Sequence, residues 1–154
     1  MELSSILRPG AVKTVANVSS KKRLFQDLGE IAAGVYGLDA QAVFAALQDR
    51  ETLGPTGVGH GIALPHARLK GLDKVVGAFV RIEKPVDFDS VDRLPVDLVF
   101  ALFAPEASGV EHLKALALVS RTMRDPAIAA KLRANDEVET LYTILTEAQA
   151  IRAA

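Results

Sequence analysis

The chain contains no cysteine, and this absence removes several classes of chemistry. Without thiols there are no disulfide bonds, no thiolate zinc site and no cysteine nucleophile. Histidine is scarce as well, with three residues in a chain of 154. This scarcity makes the surroundings of each histidine informative.

The sequence also lacks long apolar runs and a strong net charge. Its longest apolar stretch, Val96 to Pro105, is interrupted by Asp97 and is shorter than the roughly 18 residues that span a bilayer. A formal net charge of −1 gives no bulk attraction to nucleic acid or to anionic membranes. The N-terminal segment lacks the basic and apolar regions of a signal peptide. We therefore expect a cytoplasmic protein that neither inserts into a membrane nor binds nucleic acid.

Helical and strand-like segments alternate along the chain. Capping residues and apolar spacing predict helices at 20–36, 39–50 and 111–123, with further helices starting after Asp125-Pro126 and at Asp136. Strand patterns occupy Val75 to Ile82 and Val96 to Ala104, and the second is apolar enough to be central and buried on both faces. This mixture, at a length typical of one domain, predicts a single α/β domain over residues 1–154.

A glycine-rich segment between the second helix and the strands holds the strongest local clue. It runs from Gly54 to Gly61 and continues through a short apolar run into Pro65-His66. Because Pro65 fixes its own φ and restricts the residue before it, we expect His66 to be presented at the end of a strand. Histidine can act as a covalent nucleophile, and glycines let backbone N–H groups approach an anion closely. An ordinary hairpin or crossover loop explains the same glycines without any function.

Two common nucleotide-binding motifs do not fit this segment. A P-loop requires Lys-Ser or Lys-Thr after its last glycine, whereas Ile62 follows Gly61. The dinucleotide-binding loop requires a preceding strand and a following helix, which is the reverse of the order predicted here.

The histidines leave two other kinds of function open. His60, His66 and His112 could converge on a zinc ion in a metal-dependent hydrolase, although ligand spacing is the only support for this. A non-catalytic binding module is the other alternative. His112 lies in the first turn of a predicted helix, where it either has no special role or helps the helix N-terminus stabilise a phosphoryl group. Arg50 lies at the end of a predicted helix. It is either a favourable charge at the helix C-terminus or a cation that offsets the charge developing on transferred phosphoryl oxygens.

The segment Arg50–His66, with the sequence RETLGPTGVGHGIALPH, resembles the signature of a known family. The family is that of the mannitol/fructose-type IIA components of the bacterial phosphoenolpyruvate-dependent phosphotransferase system, and the chain is most similar to its nitrogen-regulatory branch. Further matches are PVDF from Pro85, PVDLVFAL from Pro95 and HLKALALVS from His112. Pro55 departs from the small polar residue expected there, and the family does not require a histidine at position 60.

The resemblance implies a mixed β-sheet of about five strands flanked by helices. It implies that His66 is the phosphorylated histidine, through Nε2, with Nδ1 held by a backbone carbonyl. His112 then matches the second active-site histidine, Arg50 the supporting arginine, and Thr56 with Gly57, Gly59 and Gly61 the phosphoryl-binding loop. No cofactor or metal is required, because transfer between histidines needs in-line positioning and charge neutralisation. His60 is expected to be a bystander.

The implied donor is a phosphorylated HPr-like protein, itself charged by an enzyme I. Either of two outputs follows: regulation of nitrogen and potassium metabolism through target proteins, or sugar uptake through transfer to a IIB component. The apolar residues around the loop, at positions 58, 64, 69 and 72, could form the rim on which a donor docks, or could belong to the core.

Overall fold

The computed structural model describes the backbone of residues 1–153 and the side chains of residues 1–147. A one-turn 3₁₀ helix, Leu3–Ser5, precedes the regular elements. The strands are β1 (Leu7–Val15), β2 (Gly57–Gly59), β3 (Ile62–Ala63), β4 (His66–Leu69), β5 (Val76–Val86) and β6 (Val96–Pro105). The helices are α1 (Lys21–Tyr36), α2 (Ala40–Thr52), α3 (Val110–Arg124), α4 (Pro126–Arg133) and α5 (Val138–Ala153).

Capping interactions account for the helix boundaries. The Ser20 side chain accepts a hydrogen bond from the backbone N–H of Arg23, and α1 ends at Gly37, whose φ of 72° is left-handed. Asp39 and Asp125 cap the starts of α2 and α4 in the same way as Ser20. The predicted helices are confirmed, with α2 running two residues beyond Arg50 to Thr52.

The sheet is mixed, and within the described residues it contains six strands. Their order is β1-β5-β6-β3-β2, with β4 also paired to β6. Strand β5 is antiparallel to β6, whereas β1 is parallel to β5 and both β3 and β4 are parallel to β6. The expected mixed sheet flanked by helices is therefore present. The strand number exceeds the expected five because two short strands, β3 and β4, lie end to end along one edge of β6.

The pairing of β3 and β4 with β6 keeps a single register. Ile62 lies opposite Leu98, and Leu69 at the far end lies opposite Pro105, with no shift between them. The ladder is interrupted at Pro65, which has no N–H to donate. Strands β3 and β4 are thus one line of chain broken by a proline, and this break comes immediately before His66.

Strand β6 forms the centre of the core. Its residues from Leu98 to Ala104 are almost completely buried, as the continuous apolar pattern predicts. The largest fully buried side chains are the phenylalanines at positions 25, 79, 88, 100 and 103. Each such side chain stabilises the fold by about 1.5–3 kcal/mol relative to its exposed state. No helix in the described part of the chain is long and apolar enough to cross a membrane.

The glycine-rich segment folds into a hairpin whose shape depends on its glycines. Strands β2 and β3 are joined by His60 and Gly61, with φ values of 57° and 78°. Positive φ at both central residues is what a type I′ hairpin turn requires, and histidine is among the side chains that tolerate it. At Gly57 the constraint is contact instead, because a Cβ there would overlap Ser90 Oγ.

This contact predicts opposite effects for two glycine-to-alanine substitutions. Gly57→Ala forces its Cβ into Ser90 and should lower the free energy of unfolding by about 1–3 kcal/mol. Gly34→Ala, in α1 with no neighbouring atom within 4 Å, should raise it by about 0.5–1 kcal/mol. Chemical denaturation of both variants measures the difference.

Gly34→Ala controls for the change from glycine to alanine. Combining Ser90→Gly with Gly57→Ala should recover part of the free energy of unfolding that Gly57→Ala loses. Equal effects of the two single substitutions would show that contact with Ser90 does not determine the requirement for glycine at position 57.

Candidate functional site

His66 is held in place by the sheet and by its own neighbours in the chain. It is the first residue of β4, opposite Leu102 of β6, and the N–H of Leu102 donates to the carbonyl of Pro65 at 3.0 Å. Leu64 is bound on its other side, where its N–H donates to the carbonyl of Thr56 at 2.9 Å. The imidazole therefore projects from a backbone that is hydrogen-bonded on two sides.

The two ring nitrogens of His66 have partners of opposite character. Nδ1 lies 2.9 Å from the carbonyl oxygen of Leu64, which can only accept, so this nitrogen carries the proton. Nε2 lies 3.3 Å from Nε of Arg50, which can only donate. The environment thus selects the neutral tautomer with its lone pair on Nε2.

Arg50 is itself held by the chain that follows α2. Its Nη1 donates to the carbonyl of Gly54 at 3.0 Å, while Nε donates to His66. The guanidinium is therefore directed at the nitrogen that carries the lone pair, and its remaining donors can bind oxygens near that nitrogen.

His112 lies beside His66, as the resemblance implies. The two ring centroids are 5.6 Å apart, with the planes 71° from parallel. His112 is buried in the first turn of α3, and its Nε2 has no hydrogen-bond partner among the described residues. A buried polar atom without a partner is rare in folded proteins, and here it lies in the ring next to the candidate nucleophile.

Burial lowers the pKa of both histidines below the ordinary value. For His66, burial is the largest cause of the lowered pKa. The hydrogen bond to the Leu64 carbonyl raises the pKa, the Arg50 charge lowers it and the Glu51 carboxylate raises it. For His112 burial is again the largest cause of the lowered pKa, followed by His66 and Arg68. Both rings are therefore neutral near pH 7, and Nε2 of His66 carries no proton.

These shifts have a consequence for stability. Between the lowered pKa of the folded state and the ordinary value near 6.5, the unfolded chain binds more protons than the folded chain. The contribution of the two histidines to the free energy of unfolding therefore rises with pH through that interval.

The predicted loop residues have neighbours other than the two histidines. Thr56 is buried, and both its N–H and its hydroxyl donate to the carboxylate of Glu51. A Cβ at Gly57, Gly59 or Gly61 would meet residues of the segment 90–97 or the Arg133 side chain. The structure thus gives these glycines a packing and turn-forming role. It does not bring them to His66 through any contact it describes.

His60 does not join the other two histidines. It lies at the exposed hairpin turn, where its N–H donates to Asp92 and its carbonyl accepts from Arg133. The described part of the chain contains no group of three side chains suited to a metal ion. The zinc alternative therefore finds no support in this geometry.

Two charged residues near the site escaped the sequence analysis. Arg68 lies two residues after His66 on β4, so side-chain alternation places it on the same face, and its charge lowers the pKa of His112. Glu51 follows Arg50 and binds Thr56. Strand alternation would have indicated Arg68 had β4 been predicted, whereas only the tertiary structure shows what Glu51 binds.

Comparisons with known proteins agree on one family. The family model described as phosphoenolpyruvate-dependent sugar phosphotransferase system, EIIA 2, matches residues 5–148. A nitrogen regulatory protein of Bradyrhizobium diazoefficiens is 46% identical over 145 residues, which are 94% of this chain and 95% of that protein. The nitrogen regulatory protein of Escherichia coli is 40% identical, covering 97% of this chain and 92% of its own length.

Solved structures give the same result for the fold. Nitrogen regulatory protein IIA-Ntr from Neisseria meningitidis superimposes with a TM-score of 0.86 at 37% identity, over 92% of this chain and 97% of that one. IIA mannitol from Escherichia coli superimposes with a TM-score of 0.75 at 21% identity, over 90% and 97% of the two chains. The second likeness bears on the fold alone.

The charge of Arg50 predicts a measurable change at His66. In Arg50→Gln the cation that lowers the pKa of His66 is removed, so the pKa should rise towards its ordinary value. An NMR titration of the imidazole signals, followed from pH 5 to 8, measures the shift. Arg121→Gln removes an exposed cation from the other end of α3 and serves as the control. A His66 pKa that is unchanged or lower in Arg50→Gln would contradict the electrostatic role given to Arg50.

Proposed function

The chain belongs to the phosphoenolpyruvate-dependent sugar phosphotransferase system EIIA 2 family, and we propose that it is a phosphocarrier that accepts a phosphoryl group on Nε2 of His66. The observation that carries this proposal is the pair of contacts to the His66 ring. The Leu64 carbonyl keeps the proton on Nδ1, and the lone pair is thereby left on Nε2. Nε2 faces a guanidinium, which attracts phosphoryl oxygens.

The reaction is a direct transfer from a phosphohistidine of an HPr-like donor protein. The Nε2 lone pair of His66 forms a bond to phosphorus while the bond from phosphorus to the donor imidazole breaks, leaving that electron pair on the donor ring. The acceptor ring gains positive charge, and the Leu64 carbonyl stabilises it through the Nδ1 proton. The donor ring loses the same charge, so no net proton transfer is needed.

Arg50 and His112 support the transferred group. The Arg50 guanidinium neutralises charge on the phosphoryl oxygens, which is the main requirement of this chemistry. His112 supplies a ring nitrogen that has no other described partner. It lies in the first turn of α3, an N-terminus without a side-chain cap, so backbone N–H groups there also favour an anion. Thr56 and the three glycines of the loop act indirectly, by maintaining the shape of the chain around Leu64.

The output of the phosphocarrier is regulatory in this proposal. Relatives that share 40–46% identity with the chain over nearly its full length are named nitrogen regulatory proteins. A phosphoryl group adds about −1.5 to −2 charges at pH 7, enough to change which proteins bind the surface around His66. The alternative is a sugar-uptake subunit that passes the group to a IIB component. It has weaker support, since the relative named a fructose-specific EIIA component is 33% identical.

Exposed apolar side chains near the site residues in the chain offer contacts for a donor protein. Of the two roles left open for Leu64 and Leu69, rim or core, the structure shows the core, because both are buried. Three other apolar side chains are exposed next to the site residues in the chain: Leu53 at 83%, Val110 at 64% and Leu113 at 65%. They follow Arg50 or flank His112, and we assign donor docking to them.

The phosphocarrier assignment is tested by the mass of the intact protein. After incubation with phosphoenolpyruvate, enzyme I and an HPr-like donor, the wild type should gain one acid-labile phosphoryl group. His66→Ala should gain none, because the accepting nitrogen is gone. His60→Asn should be phosphorylated like the wild type, since position 60 lies in the exposed turn and asparagine tolerates its positive φ. A wild type that remains unmodified by a charged donor would overturn the assignment.

The docking surface is tested by comparing a protein donor with a small one. Leu113→Asp should lower kcat/KM for the HPr-like donor by about tenfold, in line with interface residues that cost more than about 1 kcal/mol. Phosphorylation by phosphoramidate, which needs no docking surface, should not change. Val138→Asp places the same charge on a partly exposed position at the start of α5 and should leave both rates unchanged. Equal losses with both donors would place the effect of Leu113 on the site itself.

A further inference from the structure

Glu51 occupies an unusual position for a carboxylate. It lies in the last turn of α2, where the helix dipole disfavours negative charge, and its side chain is only 7% exposed. A buried charge is costly unless it is paired and hydrogen-bonded. Neither the helix dipole nor solvent therefore stabilises the negative charge of Glu51, so this charge must be stabilised by the contacts of the carboxylate.

Among the described residues, the Glu51 carboxylate makes its hydrogen bonds and its ion pair with Thr56 and Lys21. The backbone N–H of Thr56 donates to Oε1 at 2.8 Å, and the Thr56 hydroxyl lies 2.9 Å from both carboxylate oxygens. The Lys21 ammonium lies 3.7 Å from Oε1 and over the ring of Phe88, which connects the carboxylate to the start of α1. The carboxylate thus clamps Thr56 to the end of α2.

One path of hydrogen bonds leads from this clamp to Nδ1 of His66. The carbonyl of Thr56 accepts from the N–H of Leu64 at 2.9 Å. The carbonyl of Leu64 in turn accepts the Nδ1 proton at 2.9 Å. The position of Thr56 therefore determines where the acceptor for the His66 proton lies.

A second path leads from the same clamp to Nε2. The carbonyl of Glu51 accepts from the N–H of Gly54 at 3.2 Å, and the turn between Glu51 and Thr56 is closed by the clamp. The carbonyl of Gly54 accepts from Nη1 of Arg50, whose Nε faces Nε2. The hydrogen-bond partners on both sides of the imidazole thus depend on the same turn, residues 51–56.

From these two paths we propose that Glu51 is a positioning residue for His66. By holding Thr56, its carboxylate fixes the positions of the carbonyls of Leu64 and Gly54. The first carbonyl determines the tautomer of His66, and the second determines the orientation of the Arg50 guanidinium towards Nε2. Glu51 touches neither the ring nor the transferred group in this proposal, which rests on the proposed function of His66. Its role in the unphosphorylated protein can be measured independently of that function.

The decisive variant is Glu51→Gln. Glutamine has the same size, but its amide N–H₂ replaces one acceptor oxygen and opposes the two donors of Thr56. We expect the fraction of His66 in the Nδ1–H tautomer to fall, as measured by long-range ¹H–¹⁵N NMR of the unphosphorylated protein. We expect phosphoryl uptake from the HPr-like donor to slow by about tenfold or more, since small displacements of reacting groups are costly.

Asp49→Asn is the matched control. It makes the same change of charge in the same helix end, but Asp49 is exposed and does not bind Thr56 through any bond described. It should leave both the tautomer and the rate as in the wild type. If Glu51→Gln behaved like this control in both measurements, with or without a lower melting temperature, Glu51 would be a stabilising residue alone and the proposal would be wrong.

A pair of variants at Thr56 covers the case in which Glu51→Gln does not fold. Thr56→Val keeps the shape and the N–H but removes the hydroxyl donor, and should cause a smaller loss of the same kind. Thr56→Ser restores the hydroxyl and should restore the tautomer and the rate. No difference between valine and serine would overturn the clamp. A wild type that accepts no phosphoryl group would remove the proposed function, whereas the tautomer measurement would still decide the role of Glu51.

Discussion

The pairing of the chain with one edge of β6 is the constraint on which the candidate site depends. Strands β3 and β4 follow this edge in one register, and Pro65 interrupts the ladder between them because it has no N–H. The backbone of Leu64 faces away from β6, towards Thr56, and its carbonyl accepts the proton of the His66 side chain two residues later. A buried central strand thus orients the imidazole, and β6 can do so because its own residues are packed on both faces.

The electrostatics of the site follow from partial burial next to cations. Burial lowers the pKa of both imidazoles, and the nearby guanidinium groups act in the same direction. The resulting site contains neutral rings and positive side chains, a combination suited to receiving an anionic group on a ring nitrogen. The Glu51 carboxylate opposes the effect of Arg50 on His66 without contacting the ring. Its buried carboxylate accepts hydrogen bonds from the N–H and the hydroxyl of Thr56 instead.

Local patterns predicted the helices and the two long strands because their determinants are local. Caps at Ser20, Asp39 and Asp125 and the apolar run of β6 act over a few residues and are visible in one dimension. Strand β1 went unpredicted, since it contains Pro9 and Gly10 and exists through its pairing with β5. Strand β4 has four residues without a strong apolar pattern, and it is a strand because it pairs with β6. The loop glycines looked suited to an anion, but their neighbours are Ser90, Asp92, Asp97 and Arg133.

The sequence by itself determined the fold class, the family and the choice of His66, His112 and Arg50 as candidate site residues. These follow from residue types, spacing and resemblance, which need no coordinates. The resemblance implied a neighbouring His112, a bystander His60 and a carbonyl on Nδ1, but only the tertiary structure gave the ring contact of His112, the partners of His60 and Leu64 as the residue that supplies the carbonyl. It also revealed the link between Glu51 and Thr56. Each of these depends on the position of a carbonyl, a carboxylate or a ring from another element, and such positions are set by packing across the whole domain.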